Sequence, residues 1–198
     1  MAWAKLATNT LTGTTDPITI TGFTAKKFMF HISHELPTTT RIQPKFEFNN
    51  DTDSNYAHRF SVNGGTDITA TSTDHIRTGA GTNVDWELNV GYIINIASEE
   101  KLDINFCIYG SDASTNAPNR QEAVSKWANT SNQITEIDDK NGDTGDYGGF
   151  ATGSNLTVLT GDETETVTLQ NGTIFEESDT NKAYIWNAST KTWTQLWC

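Results

Sequence analysis

Between Phe46 and Val62 the chain reads FEFNNDTDSNYAHRFSV. Phe46 and Phe48 alternate with polar residues on the way in, and Tyr56, Phe60 and Val62 do so on the way out. A period of two marks a strand, because successive side chains point to opposite faces. The Asn, Asp and Ser knot between the two runs is turn chemistry. A chain written this way is committed to paired strands, and the same grammar recurs along its length.

In KFMFHIS, Phe28, Phe30 and Ile32 share one face, and Met29 and His31 share the other. Trp86, Leu88, Val90 and Tyr92 alternate in WELNVGYIINIA, and Leu102, Ile104, Phe106 and Ile108 in LDINFCIYG. Ile18 and Ile20 follow Pro17, which suits a strand start because proline has no ladder donor to lose. Pro44 interrupts the run from Arg41 to Phe48 and predicts an edge or bulged position. Asn63-Gly64-Gly65 reads as a hairpin turn. Trp3 to Leu6 is a first strand or an anchoring arm, and residues 66–84 are a long loop or a weak edge strand. Arg120 to Asn129 suits helix or strand by propensity, with Val124 and Lys126-Trp127 favouring strand; Gln133 to Ile137 alternates, and DDKNGDTGDYGG reads as turn. LTVLTG closes the body.

At least eight strands and no helix before residue 162 predict an all-β fold. The expected form is an antiparallel two-sheet sandwich with apolar inner faces, jelly-roll-like in its strand spacing. No Cys–Trp–Cys framework favours the immunoglobulin pattern. The expected division is a sandwich over residues 1–161 and a small aromatic-rich β-hairpin module over 162–198. Three short strands in that module are too few for a core of their own.

The net charge of −12 and 13 scattered basic residues, with Lys26-Lys27 the one adjacent pair, argue against a nucleic-acid partner. No run approaches the length of a membrane span, so membrane insertion is not expected. MAWAKLATNT contains no apolar leader core, which predicts synthesis in a cytoplasm without a cleavable export signal. Cys107 lies in a strand-like run and reads as a small buried thiol. Cys107 and Cys198 make neither a disulfide framework nor a metal signature.

The chain offers no catalytic constellation. Asp51, Asp53 and Asn55 match the first ligand positions of a calcium loop, but Tyr56 stands where its glycine is needed and Val62 where its glutamate is. The Asp139–Asp143 run fails in the same way, with Thr144 and Phe150 at those positions. His31 and His34 are three apart on a strand and point to opposite faces, so they do not chelate one ion. No pair of carboxylates suggests a glycosidase, and no G-x-S-x-G elbow is present. The expectation is a non-enzymatic protein with no catalytic residue, no metal and no cofactor.

Three blocks carry a resemblance. FEFNNDTDSNYAHRFSVNGG resembles a strand–turn–strand segment of structural proteins of tailed phages and related viruses. SKWANTSNQITEI, followed by FATGSNLTVLTG, is similar to the closing strands of the same domain. NGTIFEESDTNKAYIWNASTKTWTQLW is similar to a short hairpin module at the ends of many phage virion proteins. Asp53 departs from the pattern, which has glycine there. The resemblance implies a virion component: capsid, decoration or spike protein, or tail appendage. Its partners would be copies of itself and other virion proteins. Phe175, Tyr184, Trp186, Trp193 and Trp197 are then candidates either for a subunit contact or for stacking against a host-surface glycan in host attachment.

Overall fold

In a computed structural model, the described residues are 3–39, 41–79, 81–82, 86–110, 115, 117–142, 148–161, 170–177, 182–190 and 192–197, with backbone alone at 81, 82, 177 and 197. The chain divides into two compact units, Met1–Glu163 and Thr164–Cys198. The described residues form strands and connections and no helix. The strands are β1 (Trp3–Thr10), β2 (Ile18–Thr21), β3 (Phe28–Glu35), β4 (Arg41–Ile42), β5 (Pro44–Phe48), β6 (Tyr56–Val62), β7 (Ile68–Thr73), β8 (Ile76–Arg77), β9 (Gly81–Thr82), β10 (Trp86–Ile94), β11 (Lys101–Gly110), β12 (Asn119–Trp127), β13 (Glu136–Asn141), β14 (Asn155–Gly161), β15 (Ile174–Glu177), β16 (Lys182–Asn187) and β17 (Thr192–Trp197).

The first unit is an all-β sandwich. One antiparallel sheet has eight strands in the order β1-β14-β3-β10-β11-β12-β6-β7, the other four in the order β2-β13-β5-β8. Ile18, Ile20, Phe46, Phe48, Ile76 and Ile137 of the smaller sheet join Met29, Ile93, Tyr56, Trp127, Leu156 and Val158 of the larger in one buried cluster. The Phe46–Val62 stretch crosses between the sheets, since β5 belongs to one and β6 to the other.

That crossing is held by a compact polar knot. Asn49 and Asn50 take left-handed backbone angles, which asparagine tolerates better than most residues. The Tyr56 hydroxyl accepts the Phe48 N–H (3.0 Å) and donates to the Asp51 carbonyl (2.9 Å). The Asp51 carboxylate accepts from the Trp127 indole N–H (2.7 Å), the Asp53 N–H (3.0 Å) and the Asn55 amide (3.0 Å). Burial opposes its ionisation, but these bonds outweigh that and hold its carboxyl below the usual range. Tyr56 and Trp127 stack with centroids 6.1 Å apart. Residues from the first two resemblance blocks therefore meet here, in a hydrogen-bonded turn whose carboxylate is already engaged.

Several expectations need correction. Pro44 is not at a sheet edge: it opens β5, which lies between β13 and β8. Asp138, Asp139 and Asn141, read as turn, are buried residues of β13, and the strand begins at Glu136 rather than Gln133. For the Thr-rich stretch after residue 66 the edge-strand alternative holds, since it contains the edge strands β7 and β8.

The largest correction concerns orientation. Apolar inner faces were expected throughout, yet across β3, β10 and β11 the polar set points inward. Met29, His31, Ser33 and Glu35 of β3 are buried, as are Glu87 and Asn89 of β10 and Lys101, Asp103, Asn105, Cys107 and Tyr109 of β11. Gly91 makes room for this arrangement. A Cβ there would collide with the His31 ring and the Ile104 carbonyl, and His31 Nε2 instead lies 3.2 Å from the Asp103 carboxylate.

Candidate functional site

The outer face of the eight-stranded sheet follows from the same register. One row across the strands reads Lys5, Leu159, Phe30, Tyr92, Ile104, Val124, Arg59. The next reads Thr8, Thr157, Ile32, Val90, Phe106, Glu122, Ser61, and a third places Phe28, Ile94 and Leu102 beside Lys126. The first two rows are apolar in the middle and polar or charged at their outer ends, and the third runs from Phe28 to Lys126. Trp3 completes the patch, with its ring 5.8 Å from Phe30 and 6.3 Å from Tyr92, themselves 4.9 Å apart.

With Ile108, which lies between Leu88 and Arg120, nine side chains of this face, Trp3, Phe28, Tyr92, Ile94, Leu102, Ile104, Phe106, Ile108 and Val124, are between 36% and 55% exposed. Taking roughly half of about 150–250 Å² for each aromatic, and somewhat less for each aliphatic, gives about 800 Å² of exposed apolar side chain. The largest patch on a monomeric protein is typically about 300–600 Å², whereas one side of a standard protein interface is about 800 Å². The rim carries ion pairs, Lys126–Glu100 (2.9 Å) and Arg59–Asp67 (3.1 Å). Lys5, Arg59, Arg120 and Lys126 nearly balance Asp67, Glu100 and Glu122 there, so a chain of net charge −12 can approach its own copy at this face without strong repulsion. A shallow depression between Ile104, Phe106, Val124, Arg59 and Asp67 gives the face relief.

Behind this face, three fully buried carboxyls converge from both sheets. Glu35 of β3 and Glu87 of β10 are register partners, Asp139 lies on β13 of the smaller sheet, and the carboxyl oxygens of all three have no hydrogen-bond partner among the described residues. Burial is the main cause that raises all three. Glu35 is pushed up to about 7, while Glu87 and Asp139 stand well above the usual range, raised further by neighbouring carboxylates. The polar interior also contains His58, pushed down to about 4 by burial and by His75 and Arg77.

In the second unit β15, β16 and β17 form a three-stranded antiparallel sheet. It brings together four of the five nominated aromatics. Phe175 lies 6.3 Å from Tyr184 and 6.1 Å from Trp193, and Trp193 lies 5.3 Å from Trp186. Phe175 and Trp193 are exposed. The side chain of Trp197 is outside the described residues.

Sequence reasoning did not single out the outer face or the carboxyl cluster. The signal for the first was present, since alternation defines two faces, but alternation does not say which face meets the second sheet. Of the second, Asp139 was hidden in a run read as turn. Among the described residues, no group of three or more His, Cys, Asp or Glu side chains is arranged to hold a metal ion. Comparison with known protein families, curated proteins and solved structures finds no match to this chain.

Proposed function

We propose that this chain is a non-enzymatic structural protein of a virion surface that works by self-assembly and by contacts with neighbouring virion proteins. The observation that carries the assembly reading is the outer face of the eight-stranded sheet. Its apolar area matches one side of a stable interface, and its polar rim has the anatomy of a subunit contact. The virion setting rests on the resemblance of three sequence blocks, in order, to phage structural proteins. The shape of the building block is its work: a rigid sandwich presents one flat adhesive sheet, and a second copy supplies the cover. Light scattering during size-exclusion chromatography of the full chain tests this. A discrete oligomer is expected, and a monomer at every concentration up to the solubility limit overturns the reading.

A second reading, a glycan-binding appendage domain, is favoured by one observation: Phe175 and Trp193 are exposed within a four-ring aromatic cluster of the C-terminal unit. Sugars stack their apolar faces on such rings. On this reading Trp193→Ala abolishes retention on a glycan array while the oligomer mass stays unchanged. Loss of assembly in that variant, or no glycan bound by the parent chain, removes it.

A further inference from the structure

Glu35 and Glu87 take no part in assembly through the outer face. They are register partners on neighbouring antiparallel strands, and such residues hold their Cβ atoms about 4.5–5.5 Å apart, so two acids stand side by side. The next inward-facing pair along the same strands is Ser33 and Asn89. All four residues are fully buried. A buried charge is costly unless it is paired, and a like charge beside it adds to the cost.

The segment that follows β8 covers this group. Thr78 and Gly79 donate their backbone N–H groups to the carbonyl of Pro44, which opens β5 (3.1 and 3.2 Å). The Glu87 carboxyl is pressed against Gly79, where a Cβ would lie 1.6 Å from Oε1 and 2.8 Å from Oε2. The Asn89 side-chain amide donates to the Thr78 carbonyl (2.9 Å). Glu87 and Asn89 thus both reach across to Thr78–Gly79, and Thr78 is itself fully buried. Seven oxygens belong to this group: both of Glu35, both of Glu87, Ser33 Oγ, Asn89 Oδ1 and Thr78 Oγ1. All are buried, and none has a hydrogen-bond partner among the described residues. Arg77 acts on Glu87 from a distance, but its guanidinium lies over the Phe60 ring (4.3 Å) and hydrogen-bonds to neither glutamate.

We infer that Glu35 and Glu87, with Ser33, Asn89 and Thr78, form a buried binding site for a divalent cation of the calcium class. Calcium takes about six to eight oxygen ligands in adaptable geometry, drawn from carboxylates and neutral oxygens together. Two carboxylates balance its double charge. No third acid is grouped with them among the described residues, so the neutral oxygens complete the set. Oxygen donors of this kind suit calcium better than zinc or copper. The ion would join β3 and β10 of the larger sheet to Thr78, and through it to β5 of the smaller one, which makes it a staple between the layers.

The test uses the full chain, stripped of metal with a chelator and dialysed, and calcium ion alone as the probe. Isothermal titration calorimetry is expected to show one calcium bound per chain. Free calcium about a hundredfold above the dissociation constant should lower the unfolding equilibrium constant about a hundredfold in chemical denaturation. Glu35→Gln and Glu87→Gln should each weaken binding by about tenfold or more, because ligand charge sets calcium affinity. If those variants do not fold, Ser33→Ala and Thr78→Val keep both carboxylates and should still weaken binding several-fold. A parent chain that binds no calcium and unfolds alike with and without it overturns the inference. So does calcium binding that is unchanged in every folded variant, which would place the ion elsewhere on the chain.

Discussion

Ile104 stands near the middle of the longest apolar row on the outer sheet face, between Tyr92 and Val124, and is half exposed. If a second copy covers this face, association removes about 90 Å² of the Ile104 side chain from water, worth about 2 kcal/mol at roughly 25 cal/mol per Å². Ile104→Ala should lose about half of that, a several-fold weakening per contact. Ile104→Asp should lose all of it and also bury a carboxylate without a partner, at a further cost of about 3 kcal/mol or more, so that the oligomer dissociates at micromolar concentrations. The same side chain is solvent-facing within one copy, so the isolated subunit should keep its fold and its near-ultraviolet dichroism. Sedimentation velocity across a hundredfold range of concentration distinguishes the cases. An Ile104→Asp chain that sediments like the parent refutes the assignment of this face, whatever the oligomer size.

Trp127→Phe keeps the ring stacked on Tyr56 and removes the indole donor to Asp51. It should cost about 1–3 kcal/mol in denaturant unfolding at neutral pH, and less once Asp51 is also changed to Asn; equal losses in both backgrounds would disprove the coupling. His58 is buried neutral, so the unfolded chain takes up a proton first: its contribution to stability is complete above pH 6.5 and is lost as pH falls toward about 4. His58→Gln should lose less stability than the parent, or gain more, between pH 7 and pH 4 in a thermal melt, and an equal change in the two chains would contradict it.

The strands were legible because period two is a local property. Phe28 to Ile32, Trp86 to Tyr92 and Leu102 to Ile108 each declare two faces in a handful of residues, and these runs lie in β3, β10 and β11. Which face turns inward is not local. It depends on what the opposite sheet presents and on what covers the free side, and a chain that assembles can turn its more apolar face outward. Phe106 and Ile108 therefore misled, while Asn105 lines the interior unannounced and Cys107 is buried as its strand-like run suggested. Asp138-Asp139 misled for a related reason. Composition rules for turns assume that charged residues seek water, whereas β13, paired between β2 and β5, seats Asp139 fully buried. The Asp51–Trp127 bond was equally invisible, although both ends lie in stretches that the resemblance had marked.

The pairing of β1 with β14 places the beginning of the sandwich beside its end. During synthesis, β3, β10, β11, β12 and β6 can zip as each emerges, but Trp3–Thr10 has no ladder partner until residues 155–161 have left the ribosome. A nascent chain halted before that point carries an unmatched leading strand, an open edge at β3 and an uncovered greasy sheet at the same time. Such a long-range closure is slow to find and prone to capture by a neighbour's edge. A cell making this protein in quantity therefore has the greatest need of chaperone cover in the last fifth of translation of the sandwich.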